Sequence, residues 1–176
     1  MRAPRCTIDS SCVIALDNLS LVPQLSVLFS IALVPKAVRE DLFKRRATKD
    51  RLQFVFDEYA FFQRCDGYEQ GSIDFLLAER RREGSQDRGE VETVVQASQL
   101  GATVIVDDPW SRELAARYDL EFHGTPWGLQ RFQELELISS ADLRRHILSL
   151  RQRGIRLPWA TVDALLMKIG EERLPA

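Results

Sequence analysis

The chain is poor in the residues that most familiar hydrolytic chemistries use. It has two histidines and three cysteines in 176 residues. His123 stands just before a Gly-Thr-Pro turn and His146 lies inside a helical stretch, so the facing pair that a two-histidine nuclease mechanism needs has little support. Cys6, Cys12 and Cys65 form an odd set without paired metal-ligand spacing, which argues against a structural zinc site and reads as buried, reduced thiols of a cytosolic protein. Glycine-rich loops of the P-loop or dinucleotide type are missing as well. No apolar run reaches membrane length, so no membrane partner is expected. Met1-Arg2-Ala3-Pro4-Arg5 leads straight into a first strand without a signal peptide, which makes cytoplasmic residence the expectation. Without repeats or low-complexity linkers, residues 1–176 suit a single domain that buries roughly 70% of its unfolded surface.

An excess of positive charge is also absent. The net charge is -2, an unpromising sum for a protein that would grip a polyanion. Yet 20 of the 24 basic residues are arginine, whose planar fork matches phosphate. Arginine-rich composition can equally reflect the coding bias of a GC-rich genome. Arg112 and the Arg80-Arg81-Arg82 run are the candidate contacts; the triple arginine also reads as a solvated helix face.

What the chain does have is acid in telling places. Arg5-Cys6-Thr7-Ile8 and Thr103-Val104-Ile105-Val106 are short β-rich runs, the second apolar throughout as a strand covered on both faces would be. Each is followed by aspartate, Asp9 and Asp107. In an open parallel sheet, ligands sit beyond the carboxyl ends of the strands. An aspartate there also serves as an ordinary helix cap. A third strand, Ile31-Ala32-Leu33-Val34, precedes Pro35, which suits the first helical position, and residues 36–45 are expected to be helical. Helical spacing puts Asp41 on the packed face and Glu40 in line with Lys36 and Lys44, so Asp41 is the candidate ligand and Glu40 a solvent ion-pair residue. Asp87-Arg88-Gly89-Glu90 has capping-box spacing, and Glu92 adds a second glutamate to the same first turn.

These segments resemble a known family. Thr7-Ile8-Asp9-Ser10-Ser11, the run from Leu33 through Pro35 to Asp41-Leu42, Gly89-Glu90-Val91-Glu92 and Val106-Asp107-Asp108 are similar, in order and approximate spacing, to the motifs of PIN-domain ribonucleases, closest to their stand-alone prokaryotic branch. The likeness continues through Ser111-Arg112-Glu113-Leu114-Ala115 and Gly124-Thr125 and weakens over about residues 46–85. It implies an α/β fold, a three-layer α/β/α sandwich with a central parallel sheet and C-terminal helices. It implies a metal-dependent ribonuclease holding one or two Mg²⁺ or Mn²⁺ ions, with Asp9, Asp41, Glu90 and Asp107 as catalytic ligands and Glu92 and Asp108 as further metal candidates. Relatives more often carry glutamate at the second position, where Glu40 substitutes for Asp41 if the helix register differs, and Asp107 and Asp108 compete for the fourth. Arg112 and Ser10 are candidate substrate contacts, Ser10 also being a candidate helix cap.

The residue types support the same chemistry unaided. Clustered carboxylates repel one another unless a cation neutralises them, and oxygen ligands without histidine or cysteine favour magnesium or manganese over zinc. The expected partners are an RNA substrate, an antitoxin protein if the chain is the toxin half of such a pair, and a second copy in a homodimer. A catalytically inactive PIN-fold protein that binds nucleic acid or regulates a partner is the alternative. A phosphatase of the haloacid-dehalogenase type is disfavoured, because Ser11 stands where its second aspartate belongs.

The remaining helices are expected at residues 19–29, 52–59, from 72 before a polar stretch at 83–86, and at 112–118, 126–134, 140–153 and 159–172. Strands are expected at 61–65 and 120–122. Phe54, Phe56, Tyr59, Phe61 and Phe62 read as core first and as a base-stacking or docking surface second.

Overall fold

The computed structural model describes residues 4–174 apart from 45, 68, 83, 85 and 86. The first three residues and all but Gly84 of the expected separator at 83–86 lie outside the described residues. In chain order the elements are β1 (Arg5–Ile8), α1 (Ser10–Asn18), a 3-10 turn (Val22–Gln24), α2 (Leu25–Leu28), β2 (Ile31–Pro35), α3 (Lys36–Lys44), α4 (Arg46–Glu58) and β3 (Phe62–Cys65). There follow α5 (Gln70–Arg82), α6 (Arg88–Leu100), β4 (Thr103–Ile105), α7 (Pro109–Arg117), β5 (Phe122–His123), α8 (Thr125–Glu134), α9 (Ser140–Gln152) and α10 (Trp159–Lys168).

All five strands are parallel, in the order β3-β2-β1-β4-β5. β1, β2 and β4 are short and largely β-branched or apolar, and their successive side chains enter opposite layers, as the period of two demands. Ala32, Val34 and Ile105 join a core with α1, α2 and α8 to α10, whereas Leu33, Val104 and Val106 join a second core with α5, α6 and α7. The expected three-layer sandwich is the fold.

Local differences have identifiable causes. Residues 19–29 do not form one helix: α1 ends at Asn18, Ser20 takes a left-handed backbone (φ 59), and Pro23 opens a separate 3-10 turn before the four-residue α2. Pro35 closes β2, opposite Cys65, and the helix starts one residue later. The fifth strand is only Phe122–His123: Tyr118 and Asp119 make the turn after α7, and Glu121 leads into the strand, its carbonyl accepting from the Val104 amide at 2.8 Å. Gly101 ends α6 in the left-handed region (φ 58), which lets the chain turn at once into β4. The aromatic segment divides. Phe62 is buried and stacks on Phe56 at 4.7 Å, while Phe54 and Tyr59 are exposed.

Among the described residues no single helix is long and apolar enough to cross a membrane. α1 and α2, both apolar, are bent away from each other and contribute buried residues to the first core.

Candidate active site

β1 and β4 are neighbours running the same way, and chain order reverses between them, so the residues that follow them leave the sheet together at its switch point. Asp9 follows β1 and caps α1. Its Oδ2 accepts from the Ser11 amide at 3.0 Å and the Ser11 hydroxyl at 2.6 Å. Its Oδ1 is buried without a hydrogen-bond partner. Burial pushes this carboxyl up to about 6, against the opposing pull of the Ser11 hydrogen bonds.

Asp107 stands beside it. The Thr125 amide donates to Asp107 Oδ1 at 2.9 Å, the Thr125 hydroxyl to Oδ2 at 2.5 Å, and the Cys12 thiol reaches Oδ2 at 3.4 Å. Burial raises the Asp107 carboxyl, and the Thr125 hydrogen bonds oppose that rise. Cys12 itself is pushed well up by burial and by the two aspartates, so its sulfur stays protonated and serves as a donor rather than a nucleophile. Gly124 lies flush against this carboxylate. A β-carbon there would come within 2.3 Å of Asp107 Oδ1.

Asp108 caps α7, accepting from the Ser111 amide at 2.9 Å. From the opposite wall α6 brings Glu90 in its first turn, with Asp87 capping that helix through the Glu90 amide at 3.2 Å. The Glu90 carboxylate turns to Arg80, whose Nη2 lies 2.9 Å away. Burial, followed by the charges of Asp108 and Asp87, pushes Glu90 up to about 8 despite Arg80. The result is a cleft of about 310 Å³ lined by Asp9, Asp87, Glu90, Asp107 and Asp108, with Ser10 and Ser11 at its floor and Arg156, Leu157 and Pro158 across it.

The other sequence candidates, Ser10 apart, go elsewhere. Asp41 is paired with Lys44, its side chain 30% exposed, and it faces Asp87 across Gly89 at the rim rather than lining the cleft. Glu40 pairs with Lys36 at 3.9 Å on the solvent side. Glu92, 1% exposed, points away from Glu90, since two positions on a helix differ by roughly 200°. It accepts from the Ala37 amide at 2.9 Å and from Arg88 at 2.6 Å, which makes it the N-terminal cap of α3. Arg112 lies 5.4 Å over the Phe122 ring and lines an adjacent hollow of about 350 Å³ with His123, Trp127 and Lys168. Ser10 is the first residue of α1; Asp9 is the cap.

A family model described as a PIN domain matches residues 5–171, nearly the whole chain. The chain belongs to the PIN-domain family. No match to it is found among curated proteins. PIN domains are generally nucleases and typically use divalent metal ions.

This PIN domain suits such an ion in the kind of its donors but not in their present arrangement. In kind, its donors fit: all five acids are hard oxygen ligands, and Asp9 Oδ1 is a buried acceptor awaiting a partner. In arrangement, no three acidic, histidine or cysteine side chains among the described residues are gathered closely enough to hold an ion as they stand. Arg80 holds Glu90 and reaches Asp108 at 3.4 Å in their place. In the sequence Asp87 reads only as a cap and Arg80 only as a surface or phosphate contact. Helix-cap spacing gave Asp87 its position, but nothing local says that Arg80 is the inward member of its run. Thr125 and Cys12 carry no sequence signal of their service to Asp107.

Proposed function

We propose that this PIN domain is a metal-dependent endoribonuclease that hydrolyses RNA phosphodiester bonds. The observation that carries the reading is the convergence of five carboxylates on one cleft at the sheet's switch point, with Asp9 Oδ1 buried and unpartnered. Asp9, Glu90 and Asp107 would hold Mg²⁺ or Mn²⁺, and Asp108 and Asp87 add negative charge around it. Such an ion, when bound, supplies an acidified water and neutralises charge at the phosphate. The protein's own groups do the rest. Ser11 and Thr125 fix the orientations of Asp9 and Asp107, Cys12 donates to the latter, and Leu157 and Pro158 line the cleft with apolar surface. Arg156 at the cleft and Arg112 and Lys168 in the adjoining hollow offer the positive charge that a phosphate backbone needs.

The likeness to the stand-alone prokaryotic branch supports a role as the toxin of a toxin–antitoxin pair. The three free cysteines suit a reducing cytoplasm. A second reading, a PIN fold that binds nucleic acid or a partner protein without cleaving, is favoured by the hold of Arg80 on Glu90 and Asp108.

RNA cleavage with Mn²⁺ separates them. Wild type is expected to cleave and to stop on addition of EDTA, while Asp9→Asn and Asp107→Asn stay folded and lose activity by about 100-fold or more. Undiminished or EDTA-insensitive cleavage by either variant overturns the nuclease assignment to this cleft. Mn²⁺ and RNA binding without cleavage establishes the second reading.

A further inference from the structure

Arg80 does not line the cleft but pairs with two of the acids that do. It sits on α5, which is anchored by buried Ile73, Leu76 and Leu77, and its side chain is only 12% exposed. The guanidinium lies 4.6 Å from the centre of the Trp110 ring, donates to Glu90 from both Nε (3.1 Å) and Nη2 (2.9 Å), and approaches Asp108 at 3.4 Å. It is therefore enclosed by α5, α6 and α7 and bridges two acids brought by different helices. The neighbouring residues Arg81 and Arg82 are exposed, so this placement belongs to Arg80 and not to the basic run.

We propose that Arg80 is a resident counter-cation that competes with the divalent ion for Glu90 and thereby sets the affinity of the cleft for metal. This rests on the metal reading above. A doubly charged ion at Glu90 would share one carboxylate with a guanidinium already within hydrogen-bond distance, and like charges that close repel strongly in a partly dry site. Glu90 must release Arg80 as it accepts the ion. Trp110 supplies a face on which the released guanidinium can remain, since a cation over an indole ring is held by the ring quadrupole. In the absence of metal the same arginine keeps Glu90 and Asp108 from repelling.

Calorimetric titration of the full chain with MnCl₂ tests this on wild type, Arg80→Met and Arg80→Lys. Arg80→Met keeps the apolar stem against Trp110 and removes the charge; it is expected to bind Mn²⁺ on the order of tenfold tighter, the range of ordinary site coupling. Arg80→Lys retains the charge and is expected to stay near wild type. Equal or weaker binding by Arg80→Met overturns the inference and leaves the metal reading intact. Absence of Mn²⁺ binding in all three proteins removes both. Thermal unfolding gives the second measurement: Arg80→Met is expected to melt lower than wild type in EDTA and to recover when Mn²⁺ is added. If the variant is unfolded in EDTA, Mn²⁺-driven refolding supports the proposal and failure to refold refutes it.

Discussion

Asp107 is held by three donors, the Thr125 amide, the Thr125 hydroxyl and the Cys12 thiol, so any displacement of its carboxylate costs those hydrogen bonds. That makes Gly124 a sensitive position for steric reasons alone, its backbone φ of -128 being open to any residue. Gly124→Ala would set a methyl 2.3 Å from Asp107 Oδ1 and 3.2 Å from the Val106 carbonyl oxygen. The carboxylate has to move. The expected result is a stability loss of about 1–3 kcal/mol, the usual range for overpacking. Cleavage is expected to fall by roughly 100-fold, because misplacing a reacting group by an ångström is that costly. Denaturant unfolding and an RNA cleavage assay on the same preparation check both; a variant as active as wild type would show that Asp107 need not keep this position. The position of Asp107 beyond a strand end was legible in the sequence, because strand periodicity and the parallel arrangement fix it. Its hydrogen-bond partners were not, since Thr125 comes from an element 18 residues on and reaches it only through the fold.

α6 is the element that organises both ends of the site's far wall. Its N-terminal end carries two glutamates that part company: Glu90, in the first turn, toward the cleft, and Glu92, just beyond it, to the amide of Ala37 at the start of α3. α3 follows a strand directly, without a capping side chain of its own ahead of it, so a buried carboxylate from another helix satisfies its first turn. Glu92→Ala is expected to cost about 1–3 kcal/mol by leaving the buried Ala37 amide without its acceptor. Mn²⁺ affinity is expected to be unchanged, since Glu92 lies on the opposite face. Urea unfolding and metal titration together decide it; a large loss of metal affinity would return Glu92 to the ligand set. Sequence spacing brings Glu90 and Glu92 into one turn, but only the packing of α3 against α6 says that they serve different masters. The same limit applies to Asp41, whose neighbour Lys44 takes it outward, and to residues 19–29, where apolar composition looks helical throughout and Pro23 breaks it.

On the scale of the whole molecule, burying like charges gives the metal-free protein a distinctive pH response. Asp9 is raised from 3.8 to about 6 and Glu90 from 4.5 to about 8, so the folded state holds protons that the unfolded chain releases. Their contribution to stability is fully present below about pH 4 and is lost as pH rises through 6 and then 8. The lowered acids Glu79, Glu134 and Asp142 act with the opposite sign, and only below their ordinary values of 3.8 to 4.5, outside this window. In EDTA the melting temperature is expected to fall between pH 5 and pH 9, and Mn²⁺ is expected to flatten that decline. Calorimetric scans across this range test it, and a metal-free protein that gains stability toward alkaline pH would contradict the burial of these acids. The overall architecture was readable from alternating strand and helix patterns, since each strand had to enter two apolar layers. The sheet's borders carry one more implication. One margin is the two-residue β5 and the other is β3, where Gln63 and Arg64 are exposed, so neither offers a long unsatisfied ladder of amides and carbonyls for a neighbouring chain to dock onto. Any self-association of this protein is therefore expected to use surfaces other than its sheet edges, and strand-swapped or fibrillar assembly is disfavoured.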